Sequence, residues 1–119
     1  MPGFQNLLVW QKAHLLTLEI YKISADFPAE ERYGLTAQFR RSTASIATNI
    51  VEGHGRKGRV EYARFLSIAN GSLKETKYHL ILARDLRFLP ASKFETLFGI
   101  CEEIGRMLHS LKLKVRAQQ

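Results

Sequence analysis

The chain has a single cysteine, Cys101, among its 119 residues, so no disulfide can form within it and a cross-linked framework is excluded as the source of stability. Proline is almost as scarce: Pro2, Pro28 and Pro90 are the only three, which leaves long stretches free of the residue that most strongly breaks helices. No run of apolar residues is long enough to span a bilayer, and none resembles the apolar region of a secretory signal. Strict alternation of apolar and polar residues is missing, which argues against strands, and no internal repeat is evident. These absences predict a cytoplasmic protein, not embedded in a membrane, whose fold rests on an ordinary core.

The composition supplies such a core, with 45% hydrophobic and 24% charged residues, and the length suits one domain over residues 1–119. Lysine and arginine total 18 against 11 acidic residues, a formal charge of +7. Such a surface attracts polyanions, nucleic acid first among them, although positive charge also serves solubility alone.

Apolar spacing of three and four residues recurs in four segments and predicts an all-α, antiparallel up-down-up-down four-helix bundle. The first helix is expected from about Leu7 to Ile23, with Val9, Ala13, Leu16, Ile20 and Ile23 inward and Phe27 continuing the stripe. Leu7, Leu8, Trp10, Leu15, Leu18 and Tyr21 lie off this stripe, exceed what one seam needs and point to a subunit interface. Pro28 ends this segment. Acidic Asp26, Glu30 and Glu31 suit the positive end of a second helix, expected over about Tyr33–Glu52 and carrying Leu35, Phe39, Ile46 and Ile50.

Gly53, Gly55 and Gly58 are expected to close the second helix and turn the chain. A third helix is expected from about Val60 to Leu86, with Gly71 inside it and close packing as the compensation for that glycine. Ser92 and Glu95 fit a capping box opening the last helix, whose core series is Leu97, Cys101, Ile104, Leu108, Leu111 and Val115. Cys101 reads as a small buried hydrophobe.

Catalytic and cofactor signatures fare poorly. Residues 53–58 spell G-x-G-x-x-G, but a dinucleotide fingerprint requires a preceding strand, and Arg59 and Val60 replace the lysine and hydroxyl of a P-loop. His14, His54, His79 and His109 are scattered. Glu75 and His79 share a face, which reads as a surface pair and not as half a metal site. No histidine is placed beside a serine by spacing. The reading is a protein without enzymatic activity, metal or cofactor.

Two polar groupings stand out instead. Gln38, Arg41, Ser45, Asn49 and Glu52 follow helical spacing along the second helix; Arg41, Asn49 and Glu52 are expected to form a network that fixes register or a subunit contact, with a ligand site as the other reading. Arg56, Lys57 and Arg59 in the turn, and Lys112, Lys114 and Arg116 at the end of the fourth helix, are expected at the same end of an antiparallel bundle. They are the candidate nucleic-acid contacts, against the plainer reading of a solvated turn and tail.

The runs LLVWQKA, FPAEERYGLTAQFRRSTASIATNIVEGHGR and FLSIANGSLKE resemble the four-helix-bundle proteins encoded in intervening sequences of bacterial 23S ribosomal RNA genes. The resemblance covers most of the chain through the third helix and touches the last helix only in pattern. It implies a homopentameric ring, and relatives include the accessory protein of diversity-generating retroelements, which associates with a reverse transcriptase and nucleic acid. Gln38, Arg40, Arg41, Ser45, Asn49, Glu52, Gly53 and Arg56 match the family's polar motif, to which no catalytic role attaches. Val51 departs from the alanine of many relatives. Together these readings lead to a homo-oligomer that holds RNA or a ribonucleoprotein at its basic end; a protein-interaction scaffold is the rival expectation.

Overall fold

Spacing of three and four residues becomes four α-helices in the computed structural model, which describes residues 3–118. They are α1 (Leu8–Ser24), α2 (Leu35–His54), α3 (Arg59–Asp85) and α4 (Ala91–Ala117), with short 3-10 turns at Phe4–Asn6 and Ala29–Glu31. Each helix packs on the next, and α1 also meets α4, which closes the bundle. Neighbours run antiparallel. Gly53 near the end of α2 lies against Tyr62 and Phe65 near the start of α3, while Gly105 in α4 faces Leu73 in α3.

The predicted stripes form the core. Val9, Ala13, Leu16 and Ile20 of α1 are buried with Leu35, Phe39, Ile46 and Ile50 of α2 and Leu97, Cys101, Ile104 and Leu108 of α4. Phe27, just beyond α1, stacks near Phe39 at 6.2 Å between ring centroids and packs on Phe88 at 5.6 Å. Cys101 is fully buried, and burial pushes its thiol up to about 12, so it behaves as a hydrophobe.

Several boundaries differ from expectation, each for a local reason. α2 begins at Leu35 and not at Tyr33, because the Glu31 carboxylate accepts the Leu35 amide at 3.0 Å and so caps the helix from outside it. The capping box at Ser92 and Glu95 does not form. Pro90 precedes α4, the Phe94 amide bonds to its carbonyl, and Ser92 already lies inside the helix. Nor does Gly53 close α2, which continues to His54. A Cβ on Gly53 would stand 2.8 Å from Phe65 Cβ, so its role is close helix approach. The turn itself depends on Gly58, at φ 90°.

Gly71 reverses its expectation as well. It is exposed on α3, and among the described residues a Cβ there would meet nothing within 4 Å. Among the described residues, the cost of about 1 kcal/mol for a mid-helix glycine has no packing in return.

Candidate nucleic-acid interface

The antiparallel order brings the turn between α2 and α3 to the end of α4. Arg59 opens α3, and its Nη1 donates to the main-chain carbonyl of Arg116 at 3.2 Å. This bond joins two segments 57 residues apart and places Arg56, Arg59 and Arg116 at one tip of a body 49 Å long and 24 Å wide. With screening over about 10 Å at moderate salt, that tip acts electrostatically independently of the opposite end.

Two shallow hollows lie on either side of Arg59. Arg56, Tyr62, Val115 and Gln118 share one with it, and Val60, Arg64, Ser67 and Arg116 share the other. The Arg56 and Arg64 guanidiniums lie over the Phe65 ring, at 4.9 and 4.7 Å from its centre. Cation–π contact of this kind holds Arg56 in place while leaving its N–H groups free for phosphate. Arg64 is bound twice by the Glu61 carboxylate, at 3.0 and 3.1 Å, and this hydrogen bonding holds that carboxyl below its ordinary range, with Arg56 adding a smaller pull. Glu61 therefore offsets part of the positive charge at the tip.

The six predicted cations do not form one patch. Lys57 is exposed in the turn and makes no hydrogen bond or ion pair among the described residues. Lys112 lines a groove between α3 and α4 with Ser67, Asn70 and His109. Lys114 lines a different groove, between the start of α1 and the end of α4, beside Leu8 and Arg106. Successive positions of a helix turn by about 100°, so alternate residues of a basic tail diverge. Arg64 and Tyr62, absent from the sequence-based set, belong to the tip because they stand one turn into α3; the signal was their spacing from Arg59.

The polar stripe of α2 divides into a bonded and an exposed group. Ser45 Oγ shares a hydrogen bond with Ser72 Oγ of α3 at 2.8 Å, and Asn49 Nδ2 donates to the Ser45 carbonyl at 2.8 Å and its hydroxyl at 3.0 Å. Gln38, Arg41 and Glu52 are exposed and make no side-chain bond among the described residues. The expected network of Arg41, Asn49 and Glu52 is therefore not formed within one chain, because Asn49 turns back to Ser45. Arg40 has a different task. Its guanidinium donates to Ser24 Oγ at 2.8 Å and the Tyr21 carbonyl at 3.0 Å, stapling α2 to the end of α1.

His79 is the largest correction among the site residues. Instead of a surface pair with Glu75, it is 4% exposed, with Nδ1 3.0 Å from Ser42 Oγ and Nε2 3.8 Å from the Glu75 carboxylate. Ser42 also lies 3.0 Å from Thr76 Oγ1, and Thr43 bonds to the Phe39 carbonyl at 2.8 Å. A serine beside a histidine invites comparison with a nucleophile and its base, but Ser42 is 3% exposed and its hydroxyl also reaches the Phe39 carbonyl at 3.1 Å. A nucleophile must reach its substrate. Here the hydroxyls and imidazole satisfy one another inside the α2–α3 seam, and no buried side-chain polar atom among the described residues lacks a partner. Among the same residues no three of His, Cys, Asp or Glu group as metal ligands, and no helix is long and apolar enough to cross a membrane.

Comparison with known proteins agrees with this architecture. The chain is similar in fold to a protein of unknown function from the S23 ribosomal protein family of Bacteroides thetaiotaomicron VPI-5482, whose crystal structure was determined at 1.70 Å. The two share 24% identity at a TM-score of 0.82, over 88% of this chain and 95% of the other. No curated protein matches the chain. Residues 5–110 match the family described as the 23S rRNA-intervening sequence protein, and with that span covering most of its length the chain belongs to this family.

Proposed function

We propose that this protein is a cytoplasmic, non-enzymatic homo-oligomer, ring-like and built from five copies, that holds structured RNA or a ribonucleoprotein at the basic end of each bundle. The observation that carries the reading is the bond from Arg59 to the Arg116 carbonyl, which gathers three arginines from a turn, a helix start and a helix end at one tip. Phosphate is the chemistry these groups suit: guanidiniums offer paired N–H donors, and the contacts require no particular base. A ring would repeat the tip and convert weak contacts into useful avidity.

The rival is a protein-interaction scaffold, which the exposed leucines of α1 favour. Binding of nuclease-treated protein to structured RNA and to duplex DNA across a salt series separates the two. For the RNA reading, affinity falls steeply with salt, and a variant carrying Arg56→Glu, Lys57→Glu and Arg59→Glu binds every sequence more weakly. Absence of binding by the native chain at physiological salt would reject it and leave the scaffold.

A further inference from the structure

Four polar side chains between α3 and α4 are not used by the fold. Ser67 and Asn70 of α3, with His109 and Lys112 of α4, line one cleft of about 170 Å³ over a floor of buried Leu66 and Leu108. None of the four makes a side-chain hydrogen bond or ion pair among the described residues. Ser45 and Ser72, which also face each other across two helices, do bond. Gly105 belongs to the same cleft and has no side chain to fill it. Pockets that enclose drug-sized ligands run to about 300–1,000 Å³, so this one suits a smaller group. Its inventory is one of donors: an ammonium, an amide, an imidazole N–H and a hydroxyl. A phosphate can accept from all four.

The cleft is continuous with the basic tip. Ser67 also lines the hollow that contains Arg59, Arg64 and Arg116, so a line of donors runs from the tip down between α3 and α4. Arg116, Lys112 and His109 follow one side of α4 at spacings of four and three, a rise of about 10 Å. Three stacked nucleotides at about 3.4 Å each cover that length. Among the described residues no Asp or Glu lines either the hollow or the cleft. Beyond Gly105 the line is closed by the ion pair of Lys77 Nζ with Glu102 Oε2 at 2.9 Å, which bridges the two helices.

We infer that the α3–α4 cleft takes the phosphates of an unpaired RNA strand running off the structured RNA at the tip, with Lys112 and Asn70 as its main contacts. The inference rests on the phosphate-binding reading of the tip and adds the strand type and its path. Two packed helices lie about 8–10 Å apart, axis to axis, and the furrow between them is too narrow for a duplex. One strand fits. A positively charged groove that tracks the backbone holds single strands without reading their bases. Lys114 supplies the internal contrast. It stands two residues from Lys112 with the same charge, but lines the groove between α1 and α4 and is off the path.

Fluorescence anisotropy on the full chain tests this with two RNA probes, a blunt hairpin and the same hairpin carrying an unpaired tail of about ten nucleotides. The tail is expected to strengthen binding by the native protein about tenfold, the worth of one or two charge-assisted contacts. Lys112→Glu should abolish most of that gain, whereas Lys114→Glu, with an identical change in net charge, should keep it. Asn70→Asp alters the opposite wall of the cleft without changing side-chain shape and should also lose the gain. Should Lys112→Glu lower the helical circular dichroism, Asn70→Asp decides alone. A tail that adds nothing, or equal losses in Lys112→Glu and Lys114→Glu, would overturn the cleft. The tip reading would then stand as long as the hairpin still binds and the variant carrying Arg56→Glu, Lys57→Glu and Arg59→Glu weakens it. Native protein that binds neither probe would overturn both.

Discussion

The seam between α2 and α3 and the basic tip of the bundle are both rich in polar residues, yet they do opposite things with them. In the seam, Ser42, Thr43, Thr76 and His79 are buried and bonded to one another or to main-chain carbonyls. At the tip, Arg56, Lys57, Arg59 and Arg116 are exposed, and the bond from Arg59 to the Arg116 carbonyl is the one hydrogen bond that these four side chains make among the described residues. Buried polar groups are costly when unpaired, so the seam specifies how the helices meet. Exposed charges contribute little to folding and remain available to a partner. Polarity by itself therefore says nothing about function; access to water separates the two cases.

Substitutions should widen this contrast. The largest effect is expected from Phe39→Ala, which empties a fully buried site beside Phe27 and His79 and should cost about 3–5 kcal/mol in chemical denaturation. Gly53→Ala comes next. Its Cβ would press on Phe65 Cβ at 2.8 Å and Tyr62 at 3.1 Å, and overpacking of about 1–3 kcal/mol should outweigh the gain in helix propensity.

Acid should strain the seam before the tip. Burial holds His79 below the ordinary imidazole value of about 6.5, with Glu75 pulling in the opposite direction. As pH falls through that value the unfolded chain takes up the proton first, so this group's contribution to stability is complete above it and declines below it. The slope should not exceed that of one proton, about 1.4 kcal/mol per pH unit, and His79→Gln should flatten it in melting curves recorded between pH 7 and 5. The smallest change in stability belongs to the tip: Arg56→Glu, Lys57→Glu and Arg59→Glu should each stay within about 0.5 kcal/mol. The same three changes should reduce the dependence of RNA affinity on salt by about 0.7–0.9 in log–log slope for each phosphate that is no longer neutralised.

Glycine shows where reading a sequence succeeds and where it stops. Gly53 and Gly71 look alike on paper, each within reach of a helical pattern, and the expectations placed a helix end at the first and close packing at the second. The structure assigns close approach to Gly53 and leaves Gly71 open, because which side of a helix meets a neighbour depends on the pairing of helices distant in sequence. His79 follows the same logic. Its spacing from Glu75 was legible, but Ser42, 37 residues away, decides its surroundings.

Four helices, their inward stripes and the concentration of arginine and lysine near residues 56–59 and 112–116 follow from the sequence alone, since spacing of three and four residues is a local property of the α-helix. Tertiary structure decided the rest. It joined Arg59 to the end of α4, sent Lys112 and Lys114 into separate grooves, and buried the histidine that spacing had placed at the surface. These outcomes depend on how whole helices face one another, and that is set by the fit of their packed side chains and by the satisfaction of buried polar groups across segments far apart in the chain.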